Sequence, residues 1–386
     1  MESQRHLFSF PSDTHYLNCA YMAPVSNQVA HIAQQTINRL QIPSRLQQSD
    51  FFERSDNVRA LFSRLIGINE PNRIAIVPSV SYAMSTLARN TTLRRNQNVV
   101  VTHDQFPSNV YAWKRQCEGV GAEFRVVHPP PSLQNRGLGW NDKLGEAIDR
   151  NTAVVAIPEL HWIDGTRFNL KQIGVLARAV GAKFIIDGTQ SVGALPFNID
   201  EYQPDAVVCA GYKWLMGPYS IGVAYFGPAY DSGTPIEDTW ITRVGSENFS
   251  QLVHYNETYR PGATRYDMGE RSNFILLPML EAGISQINTW KPKAIQEYCR
   301  TIGSEYIEQL RDLGCIVEDE TYRAAHLFGV RLPAGFDIDA MSTSLAKQNV
   351  SVSIRANVIR VSPHVYNNAD DFAALVTAVR TVISSD

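Results

Sequence analysis

FIIDGTQSVG, at residues 184–193, is the most informative stretch for the fold of this chain. Three apolar residues precede Asp187 and Gly188, which is the pattern of a buried strand that ends in a turn. A carboxylate at the end of a buried strand is costly unless a cationic group meets it. Asp187 is therefore a candidate ligand-binding residue, and the competing interpretation is that it caps a following helix.

Short β-branched runs alternate with amphipathic segments on both sides of this stretch. The amphipathic segments include residues 109–118 and 170–180. Near-continuous apolar strands separated by helices predict an α/β fold with a mostly parallel sheet covered on both faces. The seven runs that we assign to strands are residues 74–77, 99–102, 124–127, 153–157, 184–187, 206–209 and 221–226.

The pattern changes after about residue 275 to one that is typical of an α+β unit. A long helical stretch broken near Lys291 and Pro292 is followed by short runs and a last helix, residues 369–383. The length of the chain also favours two domains. We predict an N-terminal arm, a large ligand-binding domain and a small C-terminal α+β domain, with bounds at residues 1–20, 21–270 and 271–386.

The composition excludes several classes of protein. The chain has 35 Lys and Arg against 38 Asp and Glu, without a block of like charges, so we expect no nucleic-acid partner. Its five cysteines are scattered without metal-ligand spacing, so we expect free thiols and no metal site. The beginning of the chain lacks a signal-peptide pattern and no apolar run could span a bilayer, which predicts a cytoplasmic protein without a membrane contact.

A second informative stretch is AGYKWLMGP, residues 210–218, directly after the run at 206–209. Lysines are almost never buried unpaired, yet Lys213 has apolar and aromatic neighbours at the end of a buried strand. Desolvation in such a setting lowers the pKa of a lysine and frees its nitrogen as a nucleophile that can form an imine. The alternative is an ordinary lysine whose stem is buried and whose amine reaches solvent.

Two further strand ends carry candidate residues. In VPSVSYAM, residues 77–84, Ser81 lies where a helix begins, and the free N–H groups and dipole there favour an anion such as phosphate. Plain N-capping by Ser79 or Ser81 is the competing interpretation. In residues 101–109, Phe106 is placed either to stack on a planar ligand or to join the core. Ligands of open α/β sheets bind beyond the carboxyl ends of the strands, so we expect these segments to meet.

Together these segments resemble the class V aminotransferase family of fold-type I pyridoxal 5′-phosphate (PLP) enzymes, which includes cysteine desulfurases, kynureninases and isopenicillin-N-epimerase-like proteins. The resemblance runs from residue 16 to residue 363, and its most specific part is Asp187 with residues 190–193 followed by residues 211–218. It implies the fold-type I architecture, in which a large domain with a mostly parallel seven-stranded sheet is joined to a small α+β C-terminal domain.

The resemblance also implies a set of cofactor contacts. Lys213 would carry PLP as a Schiff base and later move the α-proton of the substrate. Asp187 would pair with the pyridine nitrogen, and Gln190 would lie near the phenolic oxygen of the ring. The other implied contacts are phosphate contacts from Val80, Ser81 and Tyr212, ring stacking by Phe106, and Trp162, which faces the cofactor in relatives.

Substrate and subunit contacts follow from two more matching segments. Arg360, in VIRVSPHVYN at residues 358–367, matches the family arginine that clamps the substrate α-carboxylate, and Arg355 would assist it. A surface arginine on a strand is the alternative. Asn273 lies in RSNF, which resembles a segment that lends an asparagine to the partner subunit. The resemblance therefore implies a homodimer with shared active sites.

The sequence indicates the cofactor more specifically than it indicates the reaction. Our leading hypothesis is an enzyme that acts on an amino acid by Cα–H removal at Lys213, of transaminase type, with epimerisation and β-elimination left open. A PLP-dependent C–S or C–C β-lyase, kynureninase-like, is the second enzymatic hypothesis. Residues 351–359 contain no cysteine, which argues against a cysteine desulfurase. A non-catalytic PLP-binding regulatory protein is the alternative from another class.

Overall fold

A computed structural model of the protein describes residues 1–333, 335, 337–355 and 357–384. The strands are β1 (His15–Tyr16), β2 (Ile74–Val77), β3 (Asn98–Thr102), β4 (Glu123–Val127), β5 (Thr152–Pro158), β6 (Lys183–Asp187), β7 (Ala206–Ala210), β8 (Gly222–Phe226), β9 (Ile316–Val317), β10 (Phe328–Arg331), β11 (Val350–Ser351), β12 (Ser353–Arg355) and β13 (Val358–Val361). The α-helices are α1 (Asn27–Leu40), α2 (Glu53–Leu65), α3 (Val80–Arg89), α4 (Tyr111–Val120), α5 (Arg136–Ala147), α6 (Leu170–Ala179), α7 (Ile199–Tyr202), α8 (Leu276–Trp290), α9 (Pro292–Asp312), α10 (Ile338–Lys347) and α11 (Ala369–Ile383).

Seven strands form the main sheet, in the order β2-β8-β7-β6-β5-β3-β4. Strand β8 runs antiparallel to β2 and β7, and the other pairs are parallel. Successive residues of β5 enter different cores, with Val155 and Ile157 on one face of the sheet and Val154 and Ala156 on the other. Burial on both faces explains why the strands are apolar at nearly every position. The α/β fold predicted from the sequence is confirmed.

The topology brings the chemically informative segments to one edge of this sheet. Strands β5, β6 and β7 are parallel neighbours, and Pro158 of β5 lies beside Asp187 of β6. Because β2 is antiparallel to β8, which is itself antiparallel to β7, β2 ends at the same edge. The residues that follow β2, β3, β5, β6 and β7 therefore surround one space.

The C-terminal part contains a smaller antiparallel sheet in the order β12-β13-β10-β9. Helices α9, α10 and α11 bury their apolar residues against it. The N-terminal segment packs here too, because β1 pairs with β11 and Asn18 bridges to Ser362. By contrast, α8 shares its core with the large sheet and forms an ion pair between Glu281 and Arg54 of α2. The division of the chain at residues 20 and 270 stays a prediction.

The described residues contain neither a candidate membrane-spanning helix nor a candidate metal site. None of the helices there is both long and apolar enough to cross a membrane. Within the same residues, histidine, cysteine and acidic side chains do not gather in a group that could hold a metal ion. The five cysteines are free and buried.

Candidate functional site

A cavity of about 260 Å³ opens at the carboxyl ends of the parallel strands. Most of the cofactor-binding residues that we predict from the sequence line this cavity. These residues are Val80, Ser81, Phe106, Trp162, Asp187, Gln190, Tyr212 and Lys213.

The two stretches that carry the strongest sequence signals pack directly against each other. Gly193 has a φ of 107°, and a Cβ at this position would collide with the carbonyl oxygen of Trp214. The turn after β7 is closed by hydrogen bonds from Gly217 N to Gly211 O and from Gly211 N to Ile221 O, both 2.9 Å. Glycine is used at position 193 because it tolerates the positive φ and the close approach. The Lys213 turn is thus held against the Asp187 turn.

Lys213 lies in the first turn after β7 and is only 6% exposed. Its Nζ is 5.3 Å from the ring centroid of Phe106 and 5.6 Å from that of Tyr212. The pKa of Lys213 is lowered to about 8, chiefly by burial and then by the Arg360 charge, while the Asp187 carboxylate acts in the opposite direction. A larger fraction of this amine is therefore neutral, and nucleophilic, near pH 7 than for an exposed lysine.

Asp187 is the last residue of β6 and is also 6% exposed. Its Oδ1 accepts a hydrogen bond from Thr189 N at 3.0 Å, within a turn and not at the start of a helix. Burial raises the pKa of Asp187, and the hydrogen bonds from Thr189 and the Lys213 charge lower it. Among the described residues no basic side chain forms an ion pair with it, so a cation in the cavity would meet an unpaired carboxyl group.

The N-terminus of α3 forms another part of the wall. Ser79 caps this helix by accepting a hydrogen bond from Tyr82 N at 3.2 Å, and its Oγ lies 2.9 Å from Ser81 Oγ. The N–H groups of the first turn have no acceptor within the helix, so they favour an anion at this end of the cavity. Helix capping and anion binding, the two interpretations of this segment, are compatible here.

Flat aromatic side chains form the opposite wall. The rings of Phe106 and Trp162 meet edge to face, with centroids 5.4 Å apart. Trp162 Nε1 donates a 2.6 Å hydrogen bond to the carbonyl oxygen of Asp104, which holds the indole in place. Tyr212 packs against Tyr219 at 4.6 Å between centroids. This wall suits a planar ligand.

Arg360 lies on β13 and is 2% exposed; it contacts Trp162 of the cavity wall, but neither Arg360 nor Arg355 lines the cavity itself. Its Nη1 donates to Trp162 O at 2.8 Å, its Nη2 donates to Ser353 Oγ at 3.1 Å, and its Nε has no partner. Burial lowers the pKa of Arg360 to about 10, with a contribution from the Arg355 charge, so the guanidinium is charged at pH 7. In the described part of the chain no carboxylate pairs with it.

Two predicted residues have surroundings that the sequence did not indicate. Gln190 lines the cavity, but its Nε2 donates to Ala20 O at 3.2 Å and its Oε1 accepts from Trp214 Nε1 at 2.9 Å. Asn273 lies outside the cavity, where its Oδ1 accepts from Leu276 N at 2.8 Å at the start of α8. The predicted contacts of both residues with a cofactor stay predictions.

Sequence reasoning missed several residues of the wall, among them Gln105, Ser108, Thr189, Tyr219 and Ser220. Ser108 and Thr189 stand within the stretches already singled out, so their position after a strand was an available signal. Tyr219 and Ser220 precede β8, and they reach the cavity because β8 begins at the edge where the parallel strands end. That orientation is not apparent from the sequence.

Comparison with known proteins identifies the family of this chain. The aminotransferase class-V family matches residues 30–375. The chain is 26% identical over 324 residues to the uncharacterized aminotransferase YcbU of Bacillus subtilis (strain 168), and the match covers 83% of this chain and 81% of YcbU.

Two solved structures share the fold. The cysteine desulfurase CsdA from Escherichia coli has a TM-score of 0.81 at 17% identity and covers 99% of this chain and 98% of its own. A variant of C-DES with glycine covalently linked to its PLP cofactor has a TM-score of 0.84 at 15% identity, and the match covers 97% and 98% of the two chains. With the family match over most of its length, the chain belongs to the class V aminotransferase family of enzymes, and its cofactor is PLP, as the sequence predicts.

Proposed function

We propose that the protein acts on an amino acid by a transaminase-type reaction in which Lys213 attaches the cofactor and moves the α-proton of the substrate. The observation that carries this proposal is a buried lysine with a pKa of about 8 in the same cavity as an unpaired buried carboxyl group. A lysine in this state serves both as a nucleophile and as a proton carrier near neutral pH.

The residues present fit PLP. Asp187 offers a carboxylate for the ring nitrogen, and Phe106 and Trp162 offer flat surfaces for the ring. Val80 and Ser81, at the N-terminus of α3, offer backbone N–H groups and a hydroxyl for the phosphate, and Tyr212 lines the same cavity. When bound, PLP supplies an electron sink for the negative charge left when a proton departs from Cα.

Arg360 is proposed to hold the α-carboxylate of the substrate, with Arg355 as a further substrate-binding residue. Support comes from the guanidinium of Arg360, which is buried and charged without a described carboxylate partner. Its two hydrogen bonds go to neutral oxygens, of Trp162 and Ser353, so its charge is still available to an incoming anion. The Trp162 bond ties this arginine to the wall of the cavity.

Transamination is favoured over two-base epimerisation because one proton carrier suffices for it. Of the described residues that line the cavity, Lys213 has a pKa near neutrality, whereas burial raises the pKa of Tyr212 to about 12. Lys213 can take a proton from Cα and return it to a different atom of the same complex. An epimerase with two bases needs a second acid or base on the opposite face.

A β-lyase is the second candidate. C-DES, whose structure in complex with cysteine persulfide shares this fold at a TM-score of 0.82, is a cystine C–S lyase. A lyase would release pyruvate or alanine without consuming a keto acid, which separates the two reactions. Cysteine desulfurase activity is not proposed, because residues 351–359 contain no cysteine and none of the five cysteines lines the described cavity.

The test is to reduce the purified holoenzyme with borohydride and map the pyridoxyl group by peptide mass spectrometry. We expect the label on Lys213, and Lys213→Ala should lose the label together with at least a thousandfold in activity. The holoenzyme is then mixed with single amino acids while the cofactor absorbance is followed and products are identified by mass. If no amino acid changes the absorbance, the proposal is wrong.

We further propose that the protein is a cytoplasmic homodimer in which Asn273 reaches the partner's active site. The position of Asn273 outside its own cavity supports this assignment. Sedimentation of the holoenzyme should give the mass of two chains. A mass of 43.2 kDa, that of one chain, would contradict the shared site.

A further inference from the structure

The small sheet directs two arginines to the same place. Strands β12 and β13 are antiparallel, with Ser353 opposite Arg360 and Arg355 opposite Val358. Side chains two residues apart on a strand share a face, so Arg355 and Arg360 lie on the same face as diagonal neighbours. Both reach Trp162, because Arg360 donates to its carbonyl oxygen and the Arg355 guanidinium lies 5.7 Å from its ring centroid.

Neither of these two charges is neutralised. Arg355 Nη1 donates to the carbonyl oxygen of Ile354 at 3.0 Å, and no ion pair to either arginine exists among the described residues. The acidic residue of this region, Asp164, already pairs with Arg136 and Arg331.

The effect of the two charges extends into the cavity. The charges of Arg360 and Arg355 both contribute to the lowered pKa of Lys213, and the Arg355 charge also lowers the pKa of Arg360. The one acidic side chain in the described cavity wall is Asp187. Lys213 and the two guanidiniums that act on it therefore outnumber the acidic side chains of the described cavity wall.

A contact with the indole does not account for Arg355. A cation–π contact contributes about 0.5–1 kcal/mol at exposed sites and leaves the positive charge in place. Two like charges close together repel each other, and bound anions would relieve this repulsion. One anion, the α-carboxylate, is assigned to Arg360, and a second is needed for Arg355.

We propose that the substrate is an α-amino acid with a second carboxylate on its side chain, with Arg360 binding the α-carboxylate and Arg355 the side-chain carboxylate. This inference rests on the proposed function and names its substrate class. The side chain of the substrate then passes along Trp162, between the two arginines. Amides of the same shape, asparagine and glutamine, would lack the charge that Arg355 recognises.

Binding of unreactive acids to the holoenzyme tests the two-anion site without any reaction. Glutarate carries two carboxylates and butyrate carries one at a similar length. We expect calorimetry to give glutarate at least a tenfold lower Kd than butyrate. Arg355→Gln should reduce this ratio to near two, and Arg355→Lys should retain part of it. The control is Arg115→Gln on α4, an exposed arginine, which should leave the ratio unchanged.

The reaction gives a second measurement. We expect kcat/KM for glutamate or aspartate to exceed that for glutamine or asparagine at least tenfold, and Arg355→Gln to bring these ratios towards one. Equal values for acids and amides in the unaltered enzyme, or ratios that Arg355→Gln does not change, would overturn the inference. If no amino acid reacts at all, the proposed function fails, whereas glutarate binding still reports on the paired arginines.

Discussion

Buried arginines occur in two regions of the described chain, and they have an acidic partner in one region but not in the other. Next to β2, Arg59 and Arg271 are 2% and 1% exposed, and both donate to Asp267 Oδ2, with 2.6 Å for the Arg271 bond. The other oxygen of Asp267 accepts from Ile76 N at 2.8 Å. Next to the cavity, Arg360 is equally buried and has only neutral partners.

The difference separates a structural role from a binding role. Around Asp267 each buried charge has its counter-ion within the chain, so the cluster joins β2 to the segment that leads into α8. At Arg360 the counter-ion is missing from the described chain, so the charge can be satisfied by a ligand. Burial of an arginine is therefore uninformative about function until its partners are known.

The largest effect is expected at Asp267. Asp267→Asn would leave Arg271 buried beside a neutral side chain and Arg59 with only the exposed Asp56, and breaking a buried ion pair costs about 3–5 kcal/mol. Urea unfolding of the apoenzyme should show a loss of this size. The matched control is Asp149→Asn, which removes the exposed partner of Arg125 and should cost less than about 1 kcal/mol. Equal losses in the two variants would remove the distinction between the regions.

The opposite outcome is expected at Arg360. Arg360→Met removes a buried charge that has no counter-ion, so the free energy of unfolding should change by less than about 1 kcal/mol. The kcat/KM for amino acids should fall about 100-fold, or about 2.7 kcal/mol, since a hydrogen bond to a charged group contributes about 1.5–3 kcal/mol. Steady-state kinetics and urea unfolding of the same preparation measure kcat/KM and the free energy of unfolding. A destabilised variant with unchanged kinetics would show that Arg360 has a structural role like that of Arg59.

The smallest effect is a shift in the titration of Lys213. The neutral amine reacts, so acetylation of Lys213 in the apoenzyme should rise as pH increases through about 8. Arg360→Met removes a cation that disfavours the protonated amine, which raises the pKa and moves the profile to higher pH, by less than about one unit. Asp187→Asn removes an anion and should move it the other way. The extent of acetylation at Lys213 is measured by peptide mass spectrometry. Shifts of the two profiles in the same direction would contradict the opposite effects assigned to Arg360 and Asp187.

Much of the site could be predicted because its residues stand immediately after strands. The strand residues were recognised from their apolar runs, and β2 and the last helix begin and end where the sequence indicates. Since parallel strands end at a common edge, the position of Asp187, Lys213, Ser81 and Phe106 after such runs was enough to bring them together.

Other parts were not predictable from local patterns. The amide of Gln190 is held by the carbonyl oxygen of Ala20, 170 residues earlier in the chain. Tyr219 and Ser220 line the cavity only because β8 reverses direction within the sheet. The position of Asn273 outside the cavity likewise depends on how α8 packs.

The resemblance to the class V family predicts the cofactor, and the residues themselves predict the order of strands and helices along the chain and the residues at the strand ends. These follow from periodicity, turn residues and short motifs, which act between neighbours in the chain. The tertiary structure alone decided which buried charges are neutralised. Asp267 meets Arg59 across 208 positions, whereas Arg360 meets the carbonyl oxygen of Trp162 across 198 positions. Coulomb and desolvation energies depend on distance in space, so only the folded chain shows where a positive charge still lacks its partner.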